Sequence, residues 1–229
     1  QLIENNDGTT SFLPNKYIFL AAMIAIICLI PMVILIVKKN VKPLTDLTTP
    51  FEAELKENSI PWDVYPRPTL KRDSYKCLNG KWDFRIKRGN KEIFKGDILV
   101  PFPVESRLSG VQKNIQKKDL MIYERYFEIE EDFYKKDNGQ KLILNFGAVD
   151  AETTVYVHNV SVCHNIGGYL PFSADISDYV KSGKNTLTVH VSDPLDSNVP
   201  YGKQRKKRGG MWYTPVSGIW QTVWFETVT

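Results

Sequence analysis

A long uninterrupted apolar stretch near the amino terminus dominates the hydropathy pattern of the chain. Residues 17–37 contain no charged side chain, and at about 1.5 Å rise per residue a helix of this length spans the hydrocarbon core of a bilayer. The basic leader and small-residue cleavage site of a signal peptide are not evident. We therefore predict a transmembrane helix at 17–37 after a polar segment at 1–16, with a buried helix of a soluble protein as the alternative.

Beyond this helix the pattern changes to short apolar runs. Residues 38–60 are predicted to be a linker, punctuated by proline, with a short helical turn at 51–57. From residue 61 the runs are rich in Val, Ile, Tyr, Phe and Trp and are separated by Gly, Asn, Asp or Pro, as in β-strands. No βαβ alternation appears, which favours a β-sandwich over a parallel sheet. The candidate strands are residues 81–86, 98–100, 123–130, 141–146, 153–158, 186–191 and 219–227.

The last predicted strand, 219–227, is the richest in aromatic side chains. Alternation places Trp220 and Trp224 on one face and Phe225 on the other. We expect these strand aromatics to pack in the core, because exposing large aromatic surfaces to water is costly. Trp212 and Tyr213 precede the strand on a loop, where an aromatic face can meet the apolar C–H face of a sugar ring.

Composition and charge exclude several classes of function. The 229 residues are 42% hydrophobic and 24% charged, with a net charge of +4, which is ordinary for a globular protein and too small to indicate nucleic acid as a partner. The basic run at 203–208 is interpreted as a solvated loop, with binding of an anion or acidic surface as the alternative. Cys28, Cys77 and Cys163 are odd in number and show no zinc spacing, so neither a disulfide framework, a metal site nor a cofactor is expected.

Charges flanking the apolar stretch suggest an orientation. Only Lys16 precedes it closely, whereas Lys38, Lys39 and Lys42 follow it. The positive-inside rule then predicts that the globular part lies in the cytoplasm. Because residue 1 is glutamine, further spans upstream are an open hypothesis.

Eight short motifs occur in an order that resembles the amino-terminal sugar-binding domain of glycoside hydrolase family 2, which contains β-galactosidases, β-glucuronidases and β-mannosidases. Each motif is weak alone, but their shared order over residues 60–229 is specific. The motifs are LNGKWDF at 78–84, VPFPVES at 100–106 with LSG at 108–110, YERYF at 123–127, LILNFGAVD at 142–150, VYVHN at 155–159, HNIGGYLPF at 164–172, NTLTVHV at 185–191 and GGMWYTPVSGIWQTVW at 209–224.

The resemblance implies an all-β, jelly-roll β-sandwich similar to galactose-binding domains, over residues 61–229. It also implies a non-catalytic role, because the family's two catalytic glutamates lie on a (β/α)₈ barrel that needs about 250 residues of its own. The implied partners are a carbohydrate of the β-galactoside or β-glucuronide type and the immunoglobulin-like and barrel domains of the same polypeptide.

The resemblance and the aromatic chemistry together nominate two loops for sugar contact. His164 opens the HNIGGYLPF turn, in which glycines permit positive φ or close backbone approach; a purely structural turn is the alternative. In related glucuronidases an aspartate of the second loop contacts the sugar, but Trp212 stands at that position here. The seven candidates are His164, Gly167, Gly168, Tyr169, Trp212, Tyr213 and Thr214.

Acidic residues outside those loops are given no catalytic role. Glu124, Asp150 and Asp193 are interpreted as structural or turn carboxylates. Two functions from different classes then fit: part of a membrane-tethered retaining β-glycosidase that hydrolyses terminal β-glycosides, or a membrane-anchored carbohydrate-binding or interaction module without catalysis. The reading frame beyond Thr229 distinguishes them, since the enzyme requires a downstream barrel.

Overall fold

The computed structural model describes residues 2–4, 10–12, 15–40, 50–55, 59–67, 69–70, 72–196, 199–206 and 209–229. These residues form two compact units, Gln1–Pro43 and Leu44–Thr229. Parts of the predicted linker, at 41–49 and 56–58, lie outside the described residues, as does the end of the basic run at 207–208.

The first unit contains a strand pair and one long helix. Strands β1 (Leu2–Glu4) and β2 (Thr10–Phe12) pair antiparallel, and helix α1 follows at Asn15–Asn40. The segment Tyr17–Leu35 has a mean hydropathy of 3.1, and none of its side chains is buried. By length and composition, α1 fits both a membrane span and a signal sequence near the amino terminus.

The second unit is built from strands and short 3-10 turns. The turns lie at Pro50–Glu54, Arg107–Ser109 and Lys136–Asn138. Among the described residues the strands are β3 (Tyr75–Cys77), β4 (Gly80–Arg88), β5 (Lys91–Val100), β6 (Asp119–Ile129), β7 (Lys141–Phe146), β8 (Val149–Asp150), β9 (Glu152–Val157), β10 (Val160–Ile166), β11 (Phe172–Asp175), β12 (Gly183–Ser192), β13 (Gly218–Ile219) and β14 (Val223–Val228).

Two antiparallel sheets pack over one hydrophobic core, which confirms the predicted all-β sandwich. One sheet has the order β10-β9-β12-β6-β4-β5 and the other β11-β7-β14-β3. On β12, Leu187, Val189 and Val191 are fully buried, as the alternation of that strand predicts. The ring of Phe127 in the larger sheet lies 5.4 Å from that of Phe225 in the smaller one.

The prediction of one continuous strand at 219–227 is wrong. The segment forms two strands, β13 and β14, with a break at 220–222. Trp224 and Phe225 are buried as predicted, but Trp220 leaves the core because its indole Nε1–H donates to the carbonyl of Gly168 at 2.8 Å. Among the described residues, six strands were not predicted: β1, β2, β3, β8, β10 and β11.

Two of the segments in which the chain passes between the sheets are themselves short strands, β8 and β13. Along the chain, β8 follows β7 of the smaller sheet and precedes β9 of the larger one. β13 follows β12 of the larger sheet and precedes β14 of the smaller one. The two crossings pair with each other, with Asp150 opposite Gly218 and Val149 opposite Ile219. Nearby, the Gly147 amide donates to the Thr222 carbonyl at 2.9 Å. The loops around both crossings are therefore held together by backbone hydrogen bonds.

A buried group of carboxyls anchors the second crossing. The two oxygens of Glu105 accept hydrogen bonds from the Ser217 amide at 3.0 Å and the Ser217 hydroxyl at 2.7 Å. The same hydroxyl oxygen lies 2.7 Å from Asp193 Oδ2. A hydroxyl carries one hydrogen, so it cannot donate to both carboxylates. One of the two carboxyls must therefore hold a proton and donate it to Ser217.

Burial accounts for where that proton resides. Burial, and to a smaller extent the charge of Asp193, raises the pKa of Glu105 to about 7, even though the hydrogen bonds from Ser217 lower it. The folded chain thus keeps a proton on Glu105 that an unfolded chain releases near pH 4.5. Since the native state binds more protons between these values, this group makes the protein less stable as pH rises from about 4.5 to about 7.

We expect Glu105→Gln to remove most of this pH dependence. An amide mimics the protonated carboxyl, because it accepts from the Ser217 amide and donates to the Ser217 hydroxyl. At pH 8 the variant should have a free energy of unfolding higher than the wild type by up to about 3 kcal/mol. Urea unfolding of the full chain in detergent micelles at pH 5 and pH 8 measures this, with the exposed Glu128→Gln as the control. If the free energy of unfolding fell by the same amount from pH 5 to pH 8 in the wild type and in Glu105→Gln, the shared-proton arrangement would be contradicted.

Candidate functional site

A cavity of about 290 Å³ opens among the loops that follow β7, β10 and β12. Antiparallel pairing brings these loops to the same end of the sandwich. The cavity wall combines aromatic rings with a few polar groups, as small-molecule sites commonly do. Its lining residues are Asp150, Tyr169, Tyr201, Gly202, Lys203, Gln204, Tyr213, Thr214, Val216 and Trp220.

Two larger depressions, of about 680 and 690 Å³, lie where residues 54–62 meet the rest of the unit. They are weaker candidates, because none of the seven predicted site residues lines them and several of their polar groups already have partners. Lys81 pairs with Asp97 at 2.6 Å, and Arg125 Nη1 donates to the Lys81 carbonyl at 2.7 Å.

Four aromatic residues line the cavity and give it apolar faces: Tyr169, Tyr201, Tyr213 and Trp220. Tyr169 and Tyr213 are 47% and 67% exposed, so their rings are accessible to a ligand. Trp220 is half-buried and held by its hydrogen bond to Gly168. Rings that are fixed in this way present flat apolar surfaces at little cost in conformational entropy.

The Gln204 side chain clamps the two walls of the cavity together. Its Oε1 accepts a hydrogen bond from the Val216 amide at 2.5 Å, and its Nε2 donates to the Tyr169 hydroxyl at 3.2 Å. The backbone adds a bridge to the same loop, since the Tyr213 amide donates to the Lys203 carbonyl at 2.8 Å. A single buried amide thus positions residues from three separate segments.

Asp150 is the acidic group of the cavity. Burial, followed by the neighbouring charge of Asp193, raises its pKa to about 7, even though a hydrogen bond from Gln204 lowers it. Gly168 lies directly against this carboxyl, and a Cβ atom there would overlap it. Near neutral pH Asp150 can therefore either donate or accept a hydrogen bond.

The structure brings three of the seven predicted site residues to the cavity. Tyr169, Tyr213 and Thr214 line it. Gly167 has a φ of 123° and Gly168 packs on Asp150, so both shape the loop through their backbones, as their residue type predicts. What these residues contact in a ligand remains a prediction.

His164 and Trp212 lie elsewhere. The prediction that His164 opens a turn is wrong, because the residue belongs to β10, and its Nδ1 lies 3.1 Å from Thr154 Oγ1 on the neighbouring strand. Trp212 is not among the lining residues; its ring stacks instead under the Arg205 guanidinium, 3.7 Å from the ring centroid.

Several lining residues were not predicted from the sequence. Trp220 was assigned to the core by strand alternation, and Asp150 was interpreted as a structural carboxylate. Lys203 and Gln204 were included in a solvated basic loop. The signal that could have found Gln204 is its position as an amide inside that basic run, preceded by the turn-forming Gly202.

The arrangement suits binding more than metal chemistry. Among the described residues, no group of three His, Cys, Asp or Glu side chains has the spacing to hold a metal ion. The cavity instead offers flat rings, phenolic hydroxyls, one carboxyl and one ammonium group, which match a ligand with apolar faces and hydroxyl groups at its edges.

We expect Gln204→Leu to release the clamp while preserving volume. The Val216 amide and the Tyr169 hydroxyl would each lose a partner, at a cost of about 1–3 kcal/mol. Hydrogen exchange of the Val216 amide should accelerate by about tenfold or more. Gln116→Leu, at an exposed loop position, is the matched control, and unchanged exchange at Val216 in Gln204→Leu would exclude the clamp.

Comparison with known proteins places this geometry in a family. The family model described as "Glycosyl hydrolases family 2, sugar binding domain" matches residues 98–227. Among curated proteins, the chain is similar to the β-glucuronidase of Felis catus, with 29% identity over 157 residues that cover 57% of this chain and 24% of that protein. It is also similar to the β-galactosidase of Thermoanaerobacter pseudethanolicus, with 29% identity over 151 residues that cover 65% of this chain and 19% of that protein.

Solved structures support the fold. The chain resembles the β-glucuronidase of an uncultured Clostridium sp. with a TM-score of 0.51 and 23% identity, covering 72% of this chain and 30% of that one. The β-glucuronidase of Dictyoglomus thermophilum gives a TM-score of 0.52 and 22% identity, covering 72% and 29%. The chain spans about a quarter of the length of the curated relatives it matches. Because the family model covers more than half of the chain and includes every residue that lines the cavity, the chain belongs to glycoside hydrolase family 2, of which it carries the sugar-binding domain.

Proposed function

We propose that residues 61–229 form a jelly-roll domain, similar to galactose-binding domains, whose loop cavity holds the terminal ring of a β-galactoside or β-glucuronide. The observation that carries this proposal is the aromatic cavity itself, which lies inside the segment matched by the family's sugar-binding model. The names of the relatives, β-glucuronidase and β-galactosidase, support these two sugar classes.

The cavity chemistry fits a sugar ring. Tyr213 and Tyr169 offer faces for ring C–H groups, while Asp150 and Lys203 also line the cavity and supply a carboxyl and an ammonium group for hydroxyl or carboxylate substituents. The glycines at 167 and 168 allow the loop its backbone conformation and place no side chain in the cavity. This division between apolar faces and few polar groups is what fixes a small ligand in one orientation.

In the complete polypeptide this domain would serve a retaining β-glycosidase. Hydrolysis with retention needs two carboxylates about 5 Å apart, and we place them on a barrel that follows an immunoglobulin-like domain. The loops of residues 167–171 and 201–217 would then form the rim of the active site, and the sandwich would buttress the barrel. Residues 38–60 would link the domain to helix α1.

We expect Tyr213→Ala to weaken binding of methyl β-glucuronide or methyl β-galactoside by about tenfold, because loss of one stacking face removes about 1 kcal/mol or more. Titration of the full chain in detergent micelles by isothermal calorimetry measures the dissociation constants. Tyr179→Ala, an exposed tyrosine outside the cavity, is the control. Failure of the wild-type chain to bind any β-glycoside would overturn the proposal.

We further propose that α1 spans a membrane, with the globular unit on the cytoplasmic side. The support is the 26-residue length of the helix, its apolar composition and the lysines at 38, 39 and 42. A bilayer would cover the apolar side chains that are otherwise exposed to water.

A fractionation experiment tests the span. The full chain should stay with membranes after alkaline carbonate washing, and the globular unit should resist protease in right-side-out vesicles and be cleaved in inside-out ones. A shortened chain released by the wash would identify the helix as a signal sequence. Cleavage in right-side-out vesicles would reverse the orientation.

A further inference from the structure

The two larger depressions of the second unit open into one groove. They share four lining residues, Leu55, Ser59, Ile60 and Leu108, so a ligand can extend from one depression into the other. Their volumes of about 680 and 690 Å³ lie in the range of about 300–1,000 Å³ that small-molecule pockets have. The groove shares no lining residue with the loop cavity.

One half of the groove is apolar. Trp62 packs on Phe102 with ring centroids 5.2 Å apart, and because Trp62 is 59% exposed, its ring remains accessible to a ligand. Leu55, Ile60 and Leu108 continue this apolar wall into the other half. A fixed aromatic ring beside aliphatic side chains favours a ligand with an apolar body.

The segment that carries Trp62 is fastened to the sandwich by buried hydrogen bonds. Asn79 Nδ2 donates to the Pro61 carbonyl at 2.9 Å, and the Tyr75 hydroxyl donates to the Asp63 carbonyl at 2.7 Å. Asn79 is fully buried. The apolar wall is therefore part of the folded domain, and a wall that is ordered before binding costs a ligand less entropy.

The other half of the groove contains Arg125, a cation with an incomplete set of partners. Its Nη1 donates to the Lys81 carbonyl at 2.7 Å, but its Nε is buried without a hydrogen-bond partner. Among the residues that the structure describes, no carboxylate pairs with Arg125, whereas Arg85 and Arg88 each face one. Burial lowers the pKa of Arg125, because its charge has lost part of its hydration. An anion bound beside it would offset that loss.

Gly80 brings the cation and the apolar wall next to each other. A Cβ atom at this position would lie 3.7 Å from Arg125 Nη1 and 3.9 Å from Ile60 Cγ1, so the two side chains face one space that no side chain of residue 80 fills. Asp97 lines the same depression, but its carboxylate is paired with Lys81 at 2.6 Å. The charge of Arg125 therefore remains available at the end of the apolar wall.

We propose that this groove binds an amphipathic carboxylate, with the carboxylate group at Arg125 and the apolar body against Ile60 and Trp62. This site goes beyond the sugar-binding function of the loop cavity. The Nη groups of Arg125 supply charge-assisted hydrogen bonds, and burial of the apolar body supplies the remaining affinity. A small polar anion would leave the wall unused, and a neutral apolar molecule would leave the cation unused.

Isothermal calorimetry of the full chain in micelles of a neutral detergent tests the proposal, with the heats from protein-free micelles subtracted. The probes are naphthylhexanoate and its neutral amide, naphthylhexanamide, which have the same apolar body. The carboxylate should bind about tenfold more tightly, because only it forms charge-assisted hydrogen bonds with the guanidinium. Arg125→Gln should abolish this preference and leave binding of the amide unchanged. Arg85→Gln, on strand β4 outside both depressions, is the matched control and should retain the preference.

A pair of variants at Leu108 keeps the test informative if Arg125→Gln does not fold. Leu108 is only half-buried and lines both depressions, so a polar side chain there does not enter the core. Leu108→Glu should weaken binding of the carboxylate several-fold more than Leu108→Gln does, because like charges repel, whereas the amide should bind both variants equally. Circular dichroism of each variant checks that it is folded.

Equal affinity of the wild-type chain for the carboxylate and the amide would overturn the inference, as would an unchanged preference in folded Arg125→Gln. Displacement of the carboxylate by methyl β-glucuronide, or loss of its binding in Tyr213→Ala, would also overturn it, because the probe would then occupy the loop cavity. Binding of methyl glycosides should persist in Arg125→Gln, so the outcome for the groove is independent of the outcome for the sugar site.

Discussion

The polypeptide passes between the sheets of the sandwich several times, and the site depends on how two of these passages, at β8 and β13, are joined. A crossing segment leaves one hydrogen-bonded ladder before it enters the next, so its backbone groups need other partners. Here β8 and β13 provide those partners for each other. Asp150 lies in one passage, and Ser217 and Trp220 flank the strand of the other. The residues of the cavity are therefore positioned by the same bonds that close the sandwich.

Charge is distributed in two opposite ways around this junction. Behind the crossings, Glu105 and Asp193 share a hydroxyl that carries one hydrogen, and protonation replaces the missing positive partner. In front of them, the loop at 203–205 exposes Lys203 and Arg205, neither of which forms an ion pair with another described residue. Buried carboxyls can be accommodated as neutral groups because a proton is small enough to enter a packed interior. Lysine and arginine cannot shed their charge so readily and stay at the surface.

Strands in which apolar and polar residues alternate regularly can be predicted from the sequence, whereas strands without such alternation are missed. β12 alternates over more than six residues, so its buried face could be recognised from the sequence. β8 and β13 are two residues long, and a two-residue strand has no period to detect. Trp220 was placed in the core because alternation was extended through Gln221 and Thr222, where the chain leaves the ladder to reach Gly168. The seven nominated residues came from two loops, and the structure adds a third, at 201–204. Gln204 donates a hydrogen bond to Tyr169, which lies 35 positions away in the sequence. A contact between residues so far apart cannot be predicted from a local sequence pattern.

Gly168 and Asp150 illustrate how packing constrains the history of a sequence as well as its fold. The carboxyl occupies the space that any side chain at 168 would need, so the two positions are not free to change independently. A lineage that keeps the aspartate is restricted to glycine at the other position, whereas one that replaces the aspartate with a smaller residue gains room for a side chain there. We therefore expect the two positions to drift as a pair, and a larger residue at 168 in a related sequence would indicate that its cavity has lost this acidic group.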